Sequence, residues 1–220
     1  QAGCGRLNVP ISDDLSAVLD GCDVVIDFSA PVSTLRNLRA IVDHRRAVVV
    51  GTTGFSPEEL TGFKDLACQV PSVFSPNMSV GVNVLFKVLR DVARALGEDY
   101  DIEVIEAHHR LKKDAPSGTA LKIAEVLATA MKRDLGQVGV YSRKGLIGER
   151  TRTEIGIQTL RGGDIVGDHT VLFAGAGERV EVTHRAHSRD AFAGGAVRAA
   201  QWVIRQPPGL YDMQDVLGLR

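Results

Sequence analysis

Three short apolar runs, Val24–Phe28, Ala47–Val50 and Val73–Ser75, alternate with segments patterned for helices at Pro31–His44 and Pro57–Cys68. The helical segments place leucine, alanine and isoleucine on one face. Strand and helix in strict alternation leave few options other than a parallel α/β sheet, with ligand loops after the strand ends. Two loops fall at such ends. Gly51-Thr52-Thr53-Gly54 follows the second run, and Ser75-Pro76-Asn77-Met78 follows the third. Both sit where a nicotinamide cofactor would lie in this fold class.

The pattern changes after residue 79. Val80–Leu96 predicts a long amphipathic helix, with Val82, Leu85, Phe86, Leu89, Val92 and Ala93 on its apolar side. Asp101–Ala107 alternates polar and apolar residues, as a half-buried strand does. Ile155–Leu160, Thr170–Ala174 and Arg179–His184 read as further strands. Glycines at 162, 163, 167, 175 and 177 separate them, as turns between antiparallel neighbours require. Asp190–Ile204 predicts a helix that ends before Pro207-Pro208, and Tyr211–Leu219 a short closing segment.

Between the strand at Asp101–Ala107 and a helix at Ala120–Met131 lies the densest polar cluster of the chain, Glu106-Ala107-His108-His109-Arg110-Leu111-Lys112-Lys113-Asp114-Ala115-Pro116-Ser117-Gly118-Thr119. Such a cluster between two buried elements is costly for stability, and a site is the usual reason for one. Asp114–Gly118 is a turn, and Ser117 or Thr119 caps the helix that follows. His108, His109 and Lys112 are expected past the carboxyl end of the strand. The backbone N–H groups of Ser117 to Ala120 stand at a helix start, where unpaired donors and partial positive charge favour a carboxylate or phosphate. Histidine titrates near neutrality and lysine supplies charge or a proton. The combination suits a small anion that is reduced or protonated.

A metal centre is not expected. Adjacent histidines are not spaced as a compact metal pair, nearby cations repel a metal ion, and Cys4, Cys22 and Cys68 are scattered without a Cys-x-x-Cys pair. The formal charge of −1 gives no pull toward nucleic acid. No run approaches the roughly 18 apolar residues of a membrane span. Irregularly spaced cysteines and no charged-then-apolar leader point to a reducing, cytoplasmic setting.

The polar segment resembles the signature of the dihydrodipicolinate reductase family. So do Gly51–Phe55, Phe74–Asn83 and Arg161–Thr170, in the family's order. The resemblance implies a Rossmann-like α/β cofactor domain with an inserted α+β substrate and oligomerisation domain. The boundaries are then residues 1–78, 79–188 and a carboxyl segment 189–220 that returns to the cofactor domain. It implies reduction of a cyclic dicarboxylate to tetrahydrodipicolinate by NADH or NADPH, on the diaminopimelate route to lysine, in a homotetramer joined through the second sheet. His108 and Lys112 become catalytic. His109, Ser117, Gly118 and Thr119 bind substrate. Gly51, Thr52, Thr53, Ser75, Pro76, Asn77 and Met78 bind cofactor, and Arg161 and Arg189 are weaker candidates for the site. One departure stands out. The family's strand and Gly-x-x-Gly-x-x-Gly turn are not found before Ile11; the chain opens Gln1-Ala2-Gly3-Cys4-Gly5-Arg6. The amino-terminal βαβ unit is therefore expected to be missing, with about 50 residues of the usual amino end. Two alternatives remain: another two-domain NAD(P)-dependent oxidoreductase acting on a small anion, or a non-catalytic fragment that keeps its substrate domain.

Overall fold

The structure is a computed structural model and describes residues 5, 7–9 and 11–220. Cys4 and Arg6, in the opening stretch that bore on the amino-terminal expectation, lie outside the described residues. Two compact units are present, one of Gln1–Ser75 with Val197–Asp212, the other of Pro76–Ala196 with Met213–Arg220. Among the described residues no helix is long and apolar enough to cross a membrane.

The first unit is a four-stranded parallel sheet in the order β1-β2-β3-β9. Its elements run α1 (Ser16–Leu19), β1 (Val24–Asp27), α2 (Pro31–Asp43), β2 (Ala47–Val50), α3 (Pro57–Ala67) and β3 (Pro71–Phe74), and β9 (Gly209–Tyr211) joins β3 from the carboxyl part. Every residue of β2 is buried, as an inner strand requires. α2 and α3 each start with proline at a first position, where its missing N–H costs nothing. At α3 a capping box adds to this: the Ser56 hydroxyl accepts from Glu59 N–H, and the Glu59 side chain accepts from Ser56 N–H. Leu19, Leu38, Ile41, Val48, Val50, Phe63, Ala67 and Val70 form the core.

The expected absence of an amino-terminal βαβ unit is corrected here. β1 pairs with β2 in parallel, from Val24 opposite Ala47 to Asp27 opposite Val50, and α2 makes the crossover. Parallel neighbours require such a crossover, so β1-α2-β2 is a βαβ unit in its own right.

The second unit carries a five-stranded sheet in the order β5-β6-β4-β7-β8. Its elements are α4 (Val80–Leu96), β4 (Asp101–His108), α5 (Gly118–Ala130), α6 (Leu135–Val138), β5 (Gly139–Val140), β6 (Ile155–Arg161), β7 (Gly167–Ala174), β8 (Arg179–Ala186), the first half of α7 (Asp190–Val203), and α8 (Met213–Leu217). The sequence suggested a succession of antiparallel strands; the sheet is mixed. β6 and β7 follow each other in the chain yet are not neighbours, because β4 lies between them, parallel to β6 and antiparallel to β7. The α5 crossover from β4 to β6 produces that order. Ile102, Val104, Ile155, Ile157, Val171 and Phe173 meet Leu85, Phe86 and Leu89 of α4 and Ile123 and Leu127 of α5 in one core. Elsewhere in this sheet the Glu103 carboxylate takes two bonds from Arg143, at 2.9 and 2.7 Å, and one from Arg150. Gly156 lies beneath it: a Cβ there would come within 1.8 Å of Glu103 Oε2.

Candidate active site

β4 buries every second residue, Ile102, Val104, Glu106 and His108. The first two enter the apolar core. The last two continue the same face as a hydrogen-bonded pair, because strand side chains repeat with period two. His108 is therefore the last residue of the strand, not a loop residue beyond it. Its carbonyl accepts from Gly162 N–H, and His109 N–H donates to Ile165 O, so the chain after β4 stays tied to the β6–β7 connection.

Glu106 is fully buried, and its carboxylate has five donors. Oε1 accepts from Ser117 N–H at 3.0 Å, Arg161 Nη2 at 2.9 Å and Thr159 Oγ1 at 3.3 Å; Oε2 accepts from Arg161 Nη1 at 2.8 Å and lies 2.6 Å from His108 Nδ1. Burial pushes its pKa up, but the bonds from Arg161, His108 and Ser117 outweigh this and hold it below the usual glutamate range. An ionised carboxylate only accepts, so Nδ1 carries the hydrogen in this contact. Nε2 is left outside this contact. Gly167 borders it: a Cβ there would lie 3.0 Å from Nε2, so glycine keeps that edge clear.

Arg161, expected as a weaker substrate contact, is committed to Glu106 and to the Asp114 carbonyl at 2.6 Å. Lys112 Nζ pairs with Asp114 Oδ1 at 2.8 Å, on a carboxylate that is itself mostly exposed. Ser117 caps α5 by accepting from Ala120 N–H, and its hydroxyl also meets His169 Nε2 at 3.2 Å. Its own N–H goes to Glu106. The N–H groups of Gly118 and Thr119 have no acceptor among the described residues, as the start of a helix leaves them. Thr119 Oγ1 accepts from Asn77 Nδ2 at 3.0 Å. Arg189 is exposed at the start of α7 and makes no hydrogen bond or ion pair with this cluster among the described residues.

Glu106 and His169 both contact His108, and sequence pattern gave neither of them a role. A glutamate two residues before a histidine on one strand was a usable signal for the first. His169 stands directly opposite Glu106 in the β4–β7 register, and its ring meets that of His108 edge-on at 5.2 Å. Burial, with the neighbouring His108, pushes its pKa down to about 4, so it is neutral at physiological pH.

In the first unit, Gly51 and Ser75 leave the carboxyl ends of β2 and β3; Gly51 N–H donates to Asp27 O, and Ser75 N–H to Val50 O. The Thr52 hydroxyl is buried, receives Thr34 Oγ1 at 2.8 Å and Ser29 N–H at 3.1 Å, and donates to Asp27 Oδ1 at 3.4 Å. Its side chain thus serves the interior, leaving its backbone for a ligand. Gly54 adopts φ +87°, a conformation that favours glycine. Gly51 leaves room for the half-exposed Phe28 ring, which would have to shift from a Cβ placed 2.2 Å away. Pro76 and the half-buried Asn77 follow, and Met78 is buried.

A parallel α/β unit with bare backbone at its strand ends, and an α+β unit carrying a buried His–Glu–Arg cluster beside a helix start, define a two-part nicotinamide-dependent oxidoreductase. Family models place the chain further. The dihydrodipicolinate reductase amino-terminal model matches residues 1–78 and the carboxyl-terminal model residues 81–217. The 4-hydroxy-tetrahydrodipicolinate reductase of Geobacter metallireducens is 61% identical over 219 residues, covering 100% of this chain and 82% of the relative. That of Syntrophus aciditrophicus is 59% identical, covering 99% and 81%. Among solved structures, a dipicolinate-bound dihydrodipicolinate reductase from Paenisporosarcina sp. TG-14 shares the fold, with a TM-score of 0.70 at 24% identity over 94% of this chain and 81% of the other. The chain belongs to the dihydrodipicolinate reductase family, and it is an NAD(P)H-dependent oxidoreductase. These matches also correct the expectation of a missing amino-terminal unit: the amino-terminal family model is matched over residues 1–78, and the alignment takes in 100% of this chain and 82% of the relative.

Proposed function

We propose that this enzyme reduces 4-hydroxy-tetrahydrodipicolinate to tetrahydrodipicolinate, on the diaminopimelate route to lysine, with His108 as the acid–base residue and Lys112 as its cationic assistant. The observation that carries the assignment of roles is the Glu106–His108 contact of 2.6 Å, with Arg161 on the same carboxylate. NAD(P)H, when bound, supplies the hydride. Backbone groups of Gly51, Thr52 and Thr53 and of Ser75 to Met78 are suited to its nicotinamide, because the glycines leave the main chain bare and Phe28 offers a flat apolar face.

Hydride arriving at a conjugated imine moves an electron pair onto the ring, which must then gain a proton. His108 holds its Nδ1 hydrogen on Glu106 and exchanges protons at Nε2, and Lys112 stabilises the charge that develops. One substrate carboxylate is held by Gly118 N–H, Thr119 N–H and the Thr119 hydroxyl at the α5 start. His109 and Lys112 face the carboxylates from the other side. Ser117 shapes this start through its bonds to Glu106, Ala120 and His169.

The family resemblance and the exposed Leu146, Ile147 and Leu160 of the second unit support a homotetramer joined through that unit. The reading puts the enzyme in the cytoplasm, with its small diffusible substrate.

Pyridine-2,6-dicarboxylate tests the assignment. It should compete with substrate and not with NAD(P)H. Thr119→Val should weaken its inhibition on the order of tenfold, the worth of one hydrogen bond to a charged group. Equal inhibition of both forms would place the carboxylate elsewhere.

A further inference from the structure

The Asn77 side chain lies in the second unit and bonds to Ser79 and Thr119 of that same unit. Its Oδ1 accepts from Ser79 N–H at 2.9 Å, which fixes which way the amide faces. Its Nδ2 must then be the atom that meets Thr119 Oγ1, at 3.0 Å. The backbone around it is clamped as well. Asn83 Nδ2 donates to Asn77 O and to Ser79 O, each at 2.8 Å, and Gln214 Nε2 donates to Asn83 O at 2.9 Å. Beside it Met78 is buried, with its carbonyl where a side chain of Gly195 would be, 1.8 Å from a Cβ placed there.

An amide nitrogen only donates. Thr119 Oγ1 is therefore an acceptor toward Asn77, and the single hydrogen of its hydroxyl is left to point at something else. The groups at hand are the N–H of Gly118 and of Thr119, which are also donors. A set of donors without an acceptor among them selects an ionised carboxylate and disfavours any ligand group that must itself donate.

We propose that Asn77 is a positioning residue that forces the Thr119 hydroxyl into the donor role, and so sets the preference of the α5 start for a carboxylate. This rests on the reading above that Thr119 holds a substrate carboxylate. The bond spans 42 residues of chain and ties Asn77 to the Ser117–Thr119 turn within the second unit.

Asn77→Asp is the informative change. It keeps the oxygen that accepts from Ser79 N–H and replaces only the amino group with a second oxygen. That oxygen draws the Thr119 hydrogen toward itself and away from a bound carboxylate. The KM for substrate and the Ki for pyridine-2,6-dicarboxylate should both rise on the order of tenfold. The KM for NADH and NADPH should stay within about twofold, and in a Thr119→Val background the same change should add much less. A rise in the KM for NAD(P)H with substrate KM unchanged would overturn the proposal, because Asn77 would then serve the cofactor directly. Additive effects in the double variant would overturn it too. If Thr119→Val alone leaves substrate KM and dicarboxylate inhibition unchanged, the carboxylate-clamp reading itself fails. If Thr119→Val raises them while Asn77→Asp does not, the clamp stands and only the role of Asn77 is lost.

Discussion

His108 Nδ1 and Glu106 Oε2 lie 2.6 Å apart on one face of β4, and both oxygens of that carboxylate are also held by Arg161. The glutamate thus fixes the tautomer and direction of the imidazole, while the arginine keeps the glutamate ionised in a buried place. Without the cation, burial alone would push the carboxyl toward its neutral form.

Replacing Arg161 with methionine should expose that dependence. It leaves Glu106 buried with its charge uncompensated, which typically costs about 3–5 kcal/mol. Glu106 has a folded pKa below its ordinary value of 4.5, so its contribution to stability is present above 4.5 and is lost as pH falls through the folded value. The stability gap between parent and variant, measured by denaturant unfolding, should be widest at neutral pH and narrow in acid. A constant gap would mean that Arg161 acts only through packing.

His169 predicts a second pH effect, in a higher window. Its folded pKa of about 4 lies below the ordinary 6.5, so the unfolded chain binds more protons between those values. Stability should fall as pH drops from 6.5 toward 4, by roughly 3 kcal/mol if His169 alone is responsible. His184, opposite it in the β7–β8 register, is also shifted down by burial, although Asp168 opposes the shift, and adds to the same slope. His169→Gln should flatten the slope without abolishing it. An unchanged slope would mean that His169 is not the titrating group.

Two adjacent glycines of α7 should behave oppositely. A side chain at Gly194 meets nothing within 4 Å, whereas one at Gly195 would collide with the Met78 carbonyl. Gly194→Ala should stabilise by about 0.5–1 kcal/mol through helix propensity. Gly195→Ala should destabilise by about 1–3 kcal/mol, because a backbone atom cannot step aside as a side-chain tip does. Melting temperatures of the two variants decide this directly, and equal shifts would contradict the close approach.

Much of this architecture was readable from local pattern. Val24–Asp27, Ala47–Val50 and the helices between them announce themselves by apolar runs and by Pro31 and Pro57 at helix starts. β4 does so by alternation. What local pattern does not carry is pairing over distance. The placing of β4 between β6 and β7 is decided by the α5 crossover, so glycine turns after β6 suggested a hairpin that does not form. Glu106 has no visible role until Arg161, 55 residues away, and Ser117 come to it. Local pattern ends the strand before His108, because a polar residue on a buried face needs a partner, and the Glu106 carboxylate supplies it only in the fold. The amino-terminal expectation failed for a related reason. A missing glycine pattern was taken for a missing unit, yet β1-α2-β2 closes through Asp27, Ser29, Thr34 and Thr52, a polar network with no such glycine pattern.

The central claim is that His108 handles the proton that accompanies hydride transfer. Steady-state turnover of the His108→Gln variant at saturating substrate and NAD(P)H tests it most directly, with the KM for NAD(P)H measured alongside. The account predicts a fall in kcat of about 10²- to 10⁴-fold, the usual share of a general acid–base group, with cofactor KM nearly unchanged. A fall in kcat of less than about threefold would contradict it and remove His108 from the chemistry.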